Sequence, residues 1–99
     1  MIFRSRKLLD AAKGQSCIAC GADDGTIVCA HYSGLGAYGL GKGMGIKASD
    51  AACAHLCHKC HTEMDSYAHG NTEERSQVFL MLVVKTICRL FEQGRIKVE

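Results

Sequence analysis

The chain has 99 residues, a formal net charge of +2 and seven cysteines. A chain of this size builds one modest core and commonly needs a metal or disulfide staple, and an odd number of cysteines rules out complete internal pairing. The longest apolar run, Val78 to Val84, is far short of the roughly 20 residues that span a bilayer, and so small a net charge does not by itself demand a nucleic-acid partner.

The reading is a single α+β domain over residues 1–99. The arm of residues 1–13 carries Arg4, Arg6, Lys7 and Lys13 against Asp10 alone. It reads equally as a phosphate-contacting segment or a solvated helix face over residues 5–13. Arg4, Arg6 and Lys7 leave no apolar stretch for a secretory leader. The expectation is a cytoplasmic, non-membrane protein with reduced thiols that serve as metal ligands or small buried hydrophobes.

Cys17-Ile-Ala-Cys20 forms the first knuckle. Thr26 to Tyr32 is β-branched and apolar, which predicts a strand ending in Ala30-His31-Tyr32. The segment 33–45 holds six glycines, Gly34, Gly36, Gly39, Gly41, Gly43 and Gly45, and is expected to be a mobile loop. Its Gly34-Leu-Gly36-Ala-Tyr-Gly39 resembles a dinucleotide motif, and Gly36 to Lys42 approaches a P-loop. The first lacks a helix directly after it; the second has Gly43 where Ser or Thr is required. Lys42 and Lys47 are candidate phosphate contacts instead.

Ser49 or Asp50 is expected to cap a short helix through Ala51, Ala52 and His55. The second knuckle, Cys57-His-Lys-Cys60, is followed directly by His61 and by a helical turn expected over His61 to Tyr67. Asn71 and Glu74 suit a capping box for a last helix over about residues 73–93, ending at Gly94. Val78, Leu82, Ile87, Leu90 and Phe91 recur at helical spacing, as a main core or a homodimer surface. The alternating tail Arg95-Ile96-Lys97-Val98 suggests an edge strand.

Two Cys-x-x-Cys turns facing each other supply four thiolates for one tetrahedral structural Zn2+. The ligand set is then Cys17, Cys20, Cys57 and Cys60, although His61 could replace Cys60. More residues separate Cys20 from Cys57 than the about 15–20 of a simple zinc ribbon, so a further structure is built between the knuckles. Cys29, Cys53 and Cys88 read as buried core, with Cys53 nearest to a competing ligand role. A redox use of the knuckles would instead require exchangeable thiols.

His31 can act as a base that activates water, or it is a satisfied core histidine. His61 and Asp65 lie four apart and share a helix face; imidazole and carboxylate together suit Mg2+, Mn2+ or Zn2+. Asp65 also reads as an ordinary exposed carboxylate. Asp50 could orient a histidine. His55, His58 and His69 read as surface or supporting residues.

These motifs carry a resemblance. The first knuckle, Ala30-His31-Tyr32, Gly45-Ile46-Lys47-Ala48-Ser49-Asp50 and Cys57 to Asp65 together resemble the YbcO-like family of prophage-encoded predicted nucleases. That family is similar to HNH endonucleases of the ββα-metal fold. The resemblance implies a small zinc-stapled ββα-metal domain with a long C-terminal helix. It implies His31 as general base, Asp50 near the asparagine that steadies that base, His61 and Asp65 as ligands of a catalytic divalent cation, and the four knuckle cysteines as the structural zinc set. The pattern departs in two places: Ala30 stands where many HNH enzymes have a metal-binding Asp or His, and Asp50 replaces the asparagine. The implied function is metal-dependent hydrolysis of DNA phosphodiester bonds in phage DNA processing or recombination, with a recombination protein as a further partner. The competing class is a zinc-stapled module that binds nucleic acid or protein without catalysis.

Overall fold

In the computed structural model, which describes residues 2–65 and 72–98, two short strands pair antiparallel between three helices. Helix α1 spans Arg6–Asp10, strand β1 Val28–His31, strand β2 Cys53–Leu56, helix α2 His58–Asp65 and helix α3 Thr72–Glu92. The molecule is thus a small α+β structure with a two-stranded sheet and a long C-terminal helix. Among the described residues no helix is long and apolar enough to cross a membrane.

Strand β1 is shorter than the expected 26–32 segment. It pairs with β2 in the register Val28↔Leu56, Cys29↔His55, Ala30↔Ala54 and His31↔Cys53. The helix expected through Ala51, Ala52 and His55 does not form. Alanine is permissive, and this stretch is decided by tertiary context: all four residues of β2 are buried, and their backbone completes the ladder of β1. The far edge of β2 is also occupied. Ile18 N–H donates to His55 O at 2.8 Å, and His55 N–H donates to Thr86 Oγ1 at 3.2 Å. The Thr86 hydroxyl in turn donates a hydrogen bond to Leu82 O. The knuckle and α3 therefore cover an edge that would otherwise present unpaired backbone groups.

Helix α1 is capped by Ser5, whose Oγ accepts from Leu8 N–H at 3.2 Å. Helix α2 begins at His58, directly after Cys57, rather than at His61; the expected end at Tyr67 lies outside the described residues. Helix α3 has Glu73 and Glu74 in its first turn, which favours the positive end of its dipole. Asn71 of the expected capping box lies outside the described residues. At the other end Gly94 has φ +71°, and the Arg95 and Gly94 N–H groups bond back to Leu90 O and Phe91 O. This is a Schellman-type stop. It curls residues 95 and 96 against the helix end, so the expected edge strand over 95–98 does not form.

The core face of α3 is Phe79, Leu82, Val83, Thr86 and Leu90. Of the residues expected there, Ile87 is half-buried, while Val78 and Phe91 are partly exposed at the rims of the core, Phe91 beside Leu8 and Thr86 and Val78 beside Cys60 and Met64. Phe79 meets Tyr32 edge-on, with ring centroids 5.3 Å apart. The glycine-rich segment over residues 33–45 folds back on itself. It contains a 3-10 turn at Ala37–Leu40 and a Gly43↔Ile46 bridge. Tyr32 Oη donates to Leu35 O, and Leu35 N–H donates to Ser76 Oγ, which seats the segment on α3.

Candidate functional site

The knuckles meet beside the sheet. The sulfurs of Cys17, Cys20, Cys57 and Cys60 all lie within 4.8 Å of one another, and the Cys20 and Cys57 sulfurs are 3.7 Å apart. A tetrahedron with Zn–S bonds of about 2.3 Å has edges of about 3.8 Å. The donor chemistry and the spacing both fit a structural metal ion such as Zn2+, and the set is four sulfurs, without His61 or Cys53. Backbone N–H groups are aimed into it. Burial pushes the Cys17 thiol up, but the amides of Cys57, Cys20 and Ala19 outweigh it and hold the pKa at about 6. Burial and the neighbouring sulfurs push Cys60 up. Four thiols this close cannot all ionise without a cation among them.

A second group gathers where α2 runs back along the sheet. A cleft of about 310 Å³ is lined by His31, Tyr32, Ser33, Lys42, Lys47, His61 and Asp65, with Cys29 and Ala48. The ββ turn-back is what assembles it. His31 ends β1, and α2 follows β2 after one residue, so His61 and Asp65 return to the end of the sheet where His31 stands. His61 Nε2 and Asp65 Oδ2 are 3.2 Å apart on adjacent turns of α2, and both side chains are partly exposed. That separation is the contact of an imidazole and a carboxylate paired across one helical turn. Ala30 is fully buried and adds no donor.

His31 is largely buried, and its Nε2 lies 2.8 Å from Asp50 Oδ1. Asp50 is 3 % exposed. Burial alone would raise its carboxyl pKa, but His31, the Ser5 amide and Arg4 together hold it below the usual carboxylate value. An ionised carboxylate only accepts, so His31 carries its proton on Nε2, and Nδ1 is the acceptor nitrogen of the neutral ring.

Arg4, expected in a phosphate-contacting or solvated arm, is held by the fold itself. Its Nη1 reaches Ala48 O at 2.6 Å and Asp50 Oδ1 at 3.1 Å, and its Nη2 reaches Lys47 O at 2.6 Å. Ser5 N–H donates to Asp50 Oδ2 at 2.8 Å, and Asp50 N–H donates to Phe3 O. The arm is thereby clamped to the back of the His31 site. Nothing in the sequence hints at this pairing, because Arg4 and Asp50 are 46 residues apart and no periodicity joins them.

His55 is buried, so of its two expected roles, surface or supporting residue, the surface one does not hold. Arg89 Nη2 donates to its Nδ1 at 3.2 Å and also reaches Ser16 O at 2.9 Å. His58 is exposed as expected; His69 lies outside the described residues. Cys53 is buried, Cys29 is half-buried and Cys88 is exposed, so the reading of all three as core holds only for the first. Cys29 and Cys53 lie diagonally across the ladder. The hydrogen bond from Cys53, outweighing burial and aided by His55, draws Cys29 down to about 5, while Cys53 is pushed up.

No family model and no curated protein matches the chain. A solved structure of a protein attributed to a bacteriophage, from Escherichia coli K-12, superimposes with a TM-score of 0.60 and 21% identity, over 88% of this chain and 99% of that one. At that identity the likeness shows a shared fold.

Proposed function

We propose that the chain is a metal-dependent endonuclease of HNH, ββα-metal type, which hydrolyses DNA phosphodiester bonds. One observation carries the reading: the cleft that brings His31, Lys42, Lys47, His61 and Asp65 together, with His31 bonded from behind to the buried Asp50. The order β1, β2, α2 and the four-sulfur cluster support the fold part of the reading. The fold shared with a protein attributed to a bacteriophage supports a place in phage or prophage DNA processing or recombination.

The roles follow from chemistry. Asp50 accepts the Nε2 proton and fixes the ring, so His31 Nδ1 takes a proton from the attacking water. Lys42 and Lys47 hold the non-bridging phosphate oxygens at the cleft wall. His61 and Asp65 hold a divalent cation such as Mg2+, Mn2+ or Zn2+, which when bound supplies charge stabilisation at the scissile phosphate and the departing oxygen. The four-cysteine cluster, whose Cys57 and Cys60 stand at the start of α2, keeps that helix in place.

Plasmid nicking with Mg2+ or Mn2+, beside His31→Ala and His61→Ala, tests the reading. The expected result is nicking by the native protein, lost in both variants while bound zinc and helix content persist. No nicking with Mg2+, Mn2+ or Zn2+, with DNA binding intact, would overturn it. That outcome favours a non-catalytic zinc-stapled binding module, the second reading, to which the missing ligand at Ala30 points.

A further inference from the structure

Helix α3 is apolar on two opposite sides. Phe79, Leu82, Val83, Thr86 and Leu90 face the sheet. At 100° per residue, Gln77, Met81, Val84, Cys88 and Phe91 fall on the far side. Met81 is 55% exposed, Val84 52% and Phe91 44%, and Cys88 is also exposed. Val78 and Leu80, at 47% and 39%, widen the strip. The sheet covers the first of these faces and leaves the second exposed.

The spacing of the outer strip says what covers it. Gln77, Met81, Val84, Cys88 and Phe91 are separated by four, three, four and three residues. That is the alternation of a coiled-coil seam, whose knobs fit the holes of another helix. The charges give the direction. Glu73 and Glu74 stand in the first turn, while Arg95 and Lys97 follow the last. A parallel copy would set acid beside acid and base beside base. An antiparallel copy sets the acidic end beside the basic end and opposes the helix dipoles. A two-fold contact is also self-complementary, as one sequence meeting itself requires.

We infer that the outer face of α3 is the interface of a homodimer in which two α3 helices pack antiparallel through Met81, Val84, Cys88 and Phe91. The small residues make the central layer, Val84 of one copy against Cys88 of the other, and Met81 packs against Phe91 on either side. Lys85 flanks this seam, its stem over the apolar layer and its ammonium in water. The inference is independent of nuclease activity, because it rests on α3 alone.

Light scattering on the reduced, zinc-loaded chain tests it, with Val84→Lys alongside. The expected masses are twice the chain mass for the native protein and one chain mass for the variant, with unchanged helix content and bound zinc. Val84→Cys adds a readout of geometry. Under mild oxidation it should give a covalent dimer that Cys88→Ser abolishes, while the native protein, whose Cys88 side chains are not opposed, gives none. A native monomer at 100-micromolar concentration would overturn the inference and leave the seam to a helix of another protein. A dimer that survives Val84→Lys would overturn it too, by placing the contact elsewhere.

Discussion

Asp50 Oδ1 lies 2.8 Å from His31 Nε2 and 3.1 Å from Arg4 Nη1, so one buried oxygen serves both a histidine and an arginine from the beginning of the chain. Asp50→Asn keeps the shape but removes the charge that balances Arg4, and it allows the amide to present its NH₂ to His31 and reverse the tautomer. We predict a loss of nicking within a factor of ten of that in His31→Ala, itself about 10²–10⁴-fold, with zinc content unchanged. Nicking assays on the two variants at equal DNA binding make the comparison.

The same carboxylate gives a pH dependence with a definite sign. Its folded pKa is lowered from 3.8. Its contribution to stability is therefore full above the unfolded value and is lost as pH falls through the lower folded value. Thermal melts of the native chain and Asp50→Asn between pH 6 and 2 should converge as the solution becomes more acidic than pH 4. Curves that keep a constant separation down to pH 2 would refute the linkage. Asp24, also lowered by its Thr26 bonds, titrates in both proteins and cancels in the difference.

Removing the metal from the four cysteines should unfold the region around them. In its absence Cys17, Cys20, Cys57 and Cys60 are left as a crowded thiol cluster in place of much of a small core, and in small zinc domains metal binding supplies folding free energy. Chelator titration followed by circular dichroism should show a cooperative loss of structure that Zn2+ restores. Cys57→Ser, at a buried ligand, should reproduce the loss at micromolar Zn2+.

Gly34 marks a close approach and Gly39 does not. A Cβ at Gly34 would stand 2.5 Å from Ser76 Oγ and 2.6 Å from Tyr32 Oη, whereas at Gly39 it meets nothing within 4 Å. Gly34→Ala should therefore cost about 1–3 kcal/mol, the usual scale of overpacking, by prising the glycine-rich segment from α3. Gly39→Ala should lie within about 0.5 kcal/mol of the native protein, as open surface sites do. Urea unfolding of both variants decides between this contrast and a uniformly loose segment.

The parts legible in the sequence were those with local signatures. The knuckles announced themselves by spacing, β1 by its β-branched run, α3 by its length and Gly94. His61 and Asp65 were placed on one helix face by their separation alone. What escaped was long-range. Cys53-Ala54-His55-Leu56 carries little β signal, and becomes a strand because β1 needs a partner and Ile18 and Thr86 occupy its outer edge. Arg4 looked like one more surface cation until Asp50 was found beneath it. The apolar pattern of α3 was read as one face because two opposite stripes on one helix overlap in any simple periodicity.

His31, Lys42, Lys47 and Asp50 all lie in the long stretch of chain between Cys20 and Cys57, whose sulfurs nearly touch. A metal ion there fastens both ends of one large loop, and every cleft residue except His61 and Asp65 is strung along it. Such a tether limits the excursions of the unfolded chain more than its few bonds suggest. Zinc supply would thus act at a distance, setting how much of the protein population has an assembled cleft.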